Sequence, residues 1–81
     1  MTASSYFKEE LAESVFYELQ RQEVKWGKQN HTQADWYVIL GEEFGEVGRA
    51  IFEKTADNYR EELIQVAAVC MAALENYDRE Q

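Results

Sequence analysis

With 81 residues, 46% of them hydrophobic, the chain can form one domain, comprising 1–81, with a modest core of its own. Its formal charge of -8, from sixteen acidic and eight basic residues, argues against a nucleic acid or an anionic membrane as its main partner. The single cysteine cannot form an internal disulfide, no signal-peptide pattern is present, and no apolar run reaches the ~18 residues of a membrane span. A cytoplasmic protein is therefore expected.

Three helical segments separated by two short breaks are predicted, because proline is absent and long helices are permitted. The first segment covers about 5–25, with Ser4 or Ser5 as its N-cap and Gly27 just beyond its end. Its mostly apolar stripe consists of Phe7, Leu11, Val15, Leu19, Gln22 and Trp26. A polar loop follows.

The second and third segments form a helical pair joined by a short connection. The second covers about 33–54, Thr32 can cap it, and the third reaches about residue 77 after a cap at Asp57 or Asn58. The stripe of the second helix is Trp36, Leu40, Phe44, Val47 and Ile51. The third contains ELIQVAAVCMAAL, which is apolar nearly all round and typical of an enclosed helix. We therefore expect an all-α antiparallel helical bundle of three main helices, completed as a homodimer or homotetramer.

Acidic residues lie beside the predicted apolar faces of these two helices. In GEEFGE, a helical wheel puts Glu43 about 20–40° beyond the edge of the stripe, with Glu46 further round. Glu42 points outward, one turn before Glu46. In the third helix Glu62 falls in the middle of an apolar face, and Gln65 lies one turn on at its edge.

A carboxylate on an apolar face needs compensation for its lost hydration. It can pair with a cation, for which Arg49 and Arg60 are candidates, bind a metal, or take up a proton. If the two helices pack antiparallel, their oxygen-bearing side chains converge into the kind of hard-ligand cluster that Mg²⁺ prefers. The predicted metal ligands are Glu43, Glu46, Glu62 and Gln65. For Glu42 and for Glu43 a solvated helix face remains the alternative.

The ordered motifs resemble a known family. ILGEEFGEVGRAIFE followed by NYREELIQVAAV is similar to the MazG-like all-α nucleoside triphosphate pyrophosphohydrolases, whose pattern is E-E-x-x-E, a variable spacer and E-x-x-D. Glu42, Glu43 and Glu46 match the first part, and Glu62 matches the second glutamate. Upstream, QRQEVKWGKQNH resembles the small phage and bacterial members, so the likeness covers about 20–74. Gln65 stands where the family has Asp; its amide oxygen can still ligate Mg²⁺ but brings no charge.

The resemblance implies hydrolysis of an NTP or dNTP between the α and β phosphates, giving a monophosphate and pyrophosphate. It also implies Mg²⁺, with Mn²⁺ as a possible substitute, and a dimeric or tetrameric assembly. Glu42 or Glu46 would be the catalytic base toward water. The predicted substrate contacts are Trp26, His31, Lys25, Lys28, Gln29 and Arg60, while Trp36 is expected to be core. The alternatives are a non-catalytic nucleotide-binding or regulatory module, which Gln65 favours, and a purely structural oligomerisation domain.

Overall fold

The computed structural model describes residues 2–53 and 56–80, with side chains from Lys8 onward except at 56 and 57. The described residues form three α-helices: α1, Thr2–Trp26; α2, Gln33–Phe52; and α3, Ala56–Arg79. No strand occurs in these ranges. The prediction of an all-α chain with three main helices is therefore confirmed.

Two of the predicted helix boundaries are set by local chemistry that is visible in the sequence. Gly27 adopts a φ of 76°, which suits glycine, and its N–H donates to the carbonyl of Glu23 at 2.8 Å. Thr32 is the N-cap of α2, and its hydroxyl oxygen accepts a hydrogen bond from the N–H of Asp35 at 3.1 Å. Glycine and threonine therefore fix the loop between α1 and α2.

The other boundaries differ from the prediction. Neither Ser4 nor Ser5 caps α1, because that helix already begins at Thr2, and α3 likewise begins before both Asp57 and Asn58. At the C-terminal ends, α2 stops two residues earlier than predicted and α3 continues two residues further.

Within the described residues α3 lies between the other two helices and packs against both, whereas the backbones of α1 and α2 do not approach each other closely. The indole of Trp36, at the start of α2, bonds to Asn76 near the end of α3, so these two helices run antiparallel as predicted. The C-terminal ends of α1 and α3 line a common small cleft, so α1 runs parallel to α3. The extents are 37 × 34 × 21 Å, which describes a flat layer in which α3 is not enclosed.

The core is small and differs in part from the predicted stripes. Its buried apolar side chains are Leu19, Trp36, Val47, Ala50, Ala68 and Val69. Phe44 and Ile51, predicted to lie on the apolar stripe of α2, are 69% and 52% exposed. The buried face of α2 instead passes through positions 36, 43, 47 and 50, which is the a/d spacing of a helix packed along one seam. Glu43 therefore lies on the packed face itself, not beyond its edge.

On α1 the predicted stripe is buried only in its central part. Leu19 is buried and Val15 is half-buried, but Leu11 and Trp26 are exposed. The side chain of Phe7 lies outside the described ones. None of the helices, as far as the structure describes them, is long and apolar enough to cross a membrane.

Candidate functional site

Two buried carboxylate oxygens, one on α2 and one on α3, have no hydrogen-bond partner among the residues that the structure describes. They are Oε2 of Glu43 on α2 and Oε2 of Glu62 on α3. Leaving a buried polar group unsatisfied costs about 1–3 kcal/mol, and more when it is charged. In native proteins such groups are rare, and each one calls for an explanation such as a bound ion, a water or a catalytic role.

The pKa of Glu43 is raised by its burial and by the negative charges near it. Burial raises its pKa above the ordinary glutamate value of 4.5, and the negative charge of Glu62 raises it further. Weaker repulsion comes, in decreasing order, from Glu46, Glu18 and Glu42. Glu62, Glu46 and Glu18 therefore each raise the pKa of Glu43, so that charges from all three helices act on this carboxylate, and we refer to these four residues as the carboxylate centre.

Glu18 of α1 is a member of this centre that the sequence reasoning missed. Its side chain is only 12% exposed, and it accepts hydrogen bonds from Arg21 at 2.9 and 2.8 Å and from Gln22 at 3.1 Å. The hydrogen bond from Arg21 holds the pKa of Glu18 below its ordinary value, so this carboxylate stays ionised. The available signal was its spacing, because Glu18 follows Leu11 by seven residues and Val15 by three, which places it on the same face of α1.

Glu46, like Glu18, has a cationic partner on its own helix. Its Oε1 lies 3.2 Å from Nη2 of Arg49, whose Nε lies 3.9 Å from the carboxylate of Glu53. Both pairs are substantially exposed and contribute little to stability. Arg49 was a candidate partner for the buried acids, but among the described residues it pairs with these two exposed ones. Glu46 and Glu62 line a cleft of about 130 Å³ between α2 and α3, named here the α2–α3 cleft.

The described residues do not form a ready-made metal cluster. No group of three or more His, Cys, Asp or Glu among them is arranged closely enough to hold a metal. Even so, the repulsion between Glu62 and Glu43, and the position of Glu46 beside Glu62 in the α2–α3 cleft, show that these acids lie near one another. The donor set nevertheless fits Mg²⁺ in its chemistry, since it consists of carboxylates with two unpartnered oxygens.

Gln65 and Arg60, two further predicted site residues, line a different cavity. This α1–α3 groove has a volume of about 850 Å³ and is lined by Glu10, Glu13, Ser14, Tyr17, Glu18, Arg21, Arg60, Glu61, Ile64 and Gln65. Gln65 is half-buried there and does not line the α2–α3 cleft with Glu46 and Glu62. Glu42, one of the two predicted catalytic bases, is exposed on α2.

The predicted base-contacting residues lie at the other end of the molecule. Trp26 is 65% exposed, with Nζ of Lys25 5.0 Å from its ring centroid, and Lys28 is exposed in the loop that follows. Trp36 is buried, which confirms the expectation that it belongs to the core. Solvent and ligands can therefore reach the indole of Trp26 more readily than that of Trp36.

His31 is held in place by Asn76, a residue that the sequence reasoning did not single out. Oδ1 of Asn76, which is 3% exposed, accepts hydrogen bonds of 2.7 Å from the N–H of His31 and from the indole N–H of Trp36. The His31 ring meets Trp36 edge-on at 4.8 Å, and these residues line a cavity of about 370 Å³ with Tyr77. Asn76 follows the buried Val69 by seven residues, a spacing that could have placed it on the packed face.

The remaining loop residues are bonded to one another and to α3. Nη2 of Arg79 donates to the carbonyl of Gln29 at 2.8 Å and to Oδ1 of Asn30 at 3.0 Å. The side chain of Gln29 bonds to Nε2 of His31 at 2.8 Å. Because Asn76 follows Glu62 by fourteen residues, this loop network lies about 20 Å along α3 from Glu62.

Comparison of the chain with protein-family models, with curated proteins and with solved structures finds no match.

Proposed function

We propose that this protein is a Mg²⁺-dependent nucleotide pyrophosphohydrolase that cleaves an NTP or dNTP into a monophosphate and pyrophosphate. The observation that carries the proposal is the pair of buried, unpartnered oxygens of Glu43 and Glu62 on facing helices. A packed structure retains such a costly pair most readily when a ligand compensates it. The motif resemblance to the MazG-like family supplies the reaction.

Each carboxylate has a distinct place in this proposal. Glu43, Glu46 and Glu62 would hold Mg²⁺, which when bound polarises the phosphoryl group and acidifies a bound water. Glu46 shares the α2–α3 cleft with Glu62 and is suited to accept the proton of that water; Glu42 is the alternative base on the exposed face. Gln65 would contribute through a hydrogen bond from the groove side, since it lines the α1–α3 groove.

The nucleoside would bind near the loop between α1 and α2. Trp26 offers an exposed indole for stacking on a base, with Lys25 beside it as a cation for the phosphates. The cavity of about 370 Å³ beside His31 and Trp36 lies at the far end of α3 from Glu62. The exposed Trp26 is therefore the better placed of these residues to meet the base.

The active form would be a homodimer or homotetramer, in the cytoplasm. The accessible surface of 6447 Å² exceeds the roughly 5,000 Å² expected for a compact monomer of this mass. The excess, roughly 1,400 Å², is larger than the ~800 Å² that each partner contributes to a standard interface. Phe44, Phe52 and Leu74 are among the exposed apolar side chains that a second copy would cover. Sedimentation equilibrium tests this: a protein that stays monomeric at assay concentrations overturns it.

A pyrophosphate-release screen over canonical ribo- and deoxynucleoside triphosphates tests the proposed reaction. With Mg²⁺ present we expect release from at least one substrate, and we expect EDTA to abolish it. Undiminished turnover in EDTA overturns the proposal.

A second candidate is a nucleotide-binding or regulatory module without catalysis. Gln65 favours it, because this residue is uncharged and lies in the groove rather than in the cleft with Glu46 and Glu62. Tight nucleotide binding with no pyrophosphate released over hours would select this candidate.

A further inference from the structure

The α1–α3 groove lies beside the carboxylate centre and is large enough for a nucleotide. Its volume of about 850 Å³ is near the upper end of the range of about 300–1,000 Å³ usual for ligand sites. Two of its lining residues adjoin the centre: Glu18 is a member of it, and Gln65 follows Glu62 by three residues on α3. A ligand in the groove would therefore lie next to the carboxylates.

Two arginines, Arg21 and Arg60, line this groove, and Arg21 is hydrogen-bonded to a carboxylate that also lines it. Arg21 donates two hydrogen bonds to Glu18, at 2.9 and 2.8 Å, through the planar fork that also fits a phosphate group. Its side chain is 51% exposed, so a ligand can reach it without any helix moving. Arg60 lines the same groove from α3.

We propose that the α1–α3 groove binds the phosphate chain of the substrate, with Arg21 as a phosphate-binding residue that leaves Glu18 for the ligand. This inference rests on the proposed function and adds Glu18 and Arg21 of α1 to a site whose predicted metal ligands lie on α2 and α3. In the free protein Glu18 positions the guanidinium, and in the complex a phosphate oxygen takes the place of the carboxylate. One charge-assisted, bidentate hydrogen bond is thereby exchanged for another of the same kind.

The other charges of the groove determine which form of the ligand it accepts. Glu10, Glu13 and Glu61 also line it, so with Glu18 its carboxylates outnumber its two guanidinium groups. A bare polyphosphate is repelled by this lining, whereas its magnesium complex carries less negative charge. Binding is therefore expected to require Mg²⁺.

Calorimetric titration with inorganic tripolyphosphate in Mg²⁺ tests the exchange without any nucleoside or turnover. Arg21→Met and Glu18→Gln break the same ion pair, so a purely structural effect would change their affinities in the same direction. We expect opposite directions: Arg21→Met weakens binding at least tenfold, because the phosphate donor is lost. Glu18→Gln strengthens it about threefold, because the competing carboxylate is removed. Glu23→Gln, which removes an exposed acid of α1 outside the groove, is the matched control for charge.

Equal affinities in Arg21→Met and the wild type, or losses in both variants, overturn the inference. Thermal unfolding of each variant identifies any loss that arises from misfolding, and Arg21→Lys, which keeps the charge without the fork, should bind with intermediate affinity. If the opposite shifts in affinity occur but no nucleotide is hydrolysed, phosphate binding in the groove is supported and the proposed reaction is wrong. If hydrolysis occurs and Arg21→Met binds tripolyphosphate normally, the proposed reaction is supported and phosphate binding by Arg21 is wrong.

Discussion

Among the described residues, buried polar atoms are hydrogen-bonded at the C-terminal end of α3, whereas two of them lack a partner beside its N-terminal half. At the C-terminal end, Asn76 accepts two hydrogen bonds of 2.7 Å, and Arg79 ties the preceding loop down with two more. In the N-terminal half, Glu62 and its neighbour Glu43 each leave a buried oxygen unpartnered. The satisfied end stabilises the fold without a ligand, whereas the unsatisfied end lowers stability until a ligand binds. This contrast separates the structural part of the molecule from the candidate site.

The largest expected effect lies at the unsatisfied end. Glu62→Gln and Glu43→Gln should each lower pyrophosphate release at least 100-fold, because either change removes a metal-binding charge. Both variants should be as stable as the wild type or more stable in EDTA, because an uncompensated buried charge has been removed. Steady-state release and urea unfolding measure the two effects.

Glu75→Gln provides the matched control, since it removes an exposed acid of α3, the helix that carries Glu62. It should leave both pyrophosphate release and the free energy of unfolding unchanged. If Glu62→Leu raises stability while no nucleotide or metal binding is detected in any form, the chain is a structural oligomerisation domain instead.

At the satisfied end the effect should fall on stability. Asn76→Ala removes the acceptor for two donors, including the buried indole N–H of Trp36, and should lower the free energy of unfolding by about 2–4 kcal/mol. Asp78→Ala, an exposed neighbour, should change it by less than ~0.5 kcal/mol. Urea denaturation at a fixed protein concentration distinguishes the two variants. Equal unfolding midpoints for Asn76→Ala and Asp78→Ala would mean that the hydrogen bonds of Asn76 do not stabilise the fold, and the contrast between the two ends of α3 would be lost.

A smaller stability effect is expected at the cap of α2. Thr32→Ala removes the hydrogen bond from the N–H of Asp35 and should cost about 1 kcal/mol. Thr32→Ser keeps the accepting oxygen and should recover most of the loss. If the serine variant is as unstable as the alanine variant, the hydroxyl hydrogen bond does not account for the stabilising effect of Thr32.

The smallest expected effect is a pH dependence at Glu43. Because its pKa is raised in the folded state, the folded protein binds this proton more tightly than the unfolded chain does. The resulting stabilisation is present below the unfolded value of about 4.5 and is lost as the pH rises through the folded pKa. In EDTA, the stability of Glu43→Gln relative to the wild type should therefore increase with pH above that value. Urea unfolding from pH 4 to pH 7 checks this, and a constant difference would argue against it.

Local sequence features predicted the helices better than they predicted which faces are packed. Gly27 and Thr32 terminate helices through chemistry confined to a few residues, so their positions could be predicted. The rotation of α2 depends on Trp36 meeting Asn76, forty residues away, and no periodicity within α2 specifies that contact. For this reason Phe44 was expected on the packed face, where the structure places Glu43 instead.

The candidate site was predictable only where it lies on one helix at a time. The inward position of Glu62 follows from the apolar residues around it in its own helix. Glu18 and Arg21 join the site through the packing of α1 beside α3; the spacing of Glu18 places it on the packed face of α1, but nothing in that segment specifies which helix it meets. The role of Gln65 depends on which of two cavities it faces, and that too is decided between helices.

Calorimetric titration of Mn²⁺, as a probe for Mg²⁺, tests most directly whether the carboxylates of Glu43 and Glu62 share a divalent cation. We expect saturable binding to the wild-type protein, at least tenfold weaker binding to either single glutamine variant, and an unaltered isotherm for Glu75→Gln. Identical Mn²⁺ affinities for the wild type and the Glu43→Gln/Glu62→Gln double variant would contradict a metal site at these two residues.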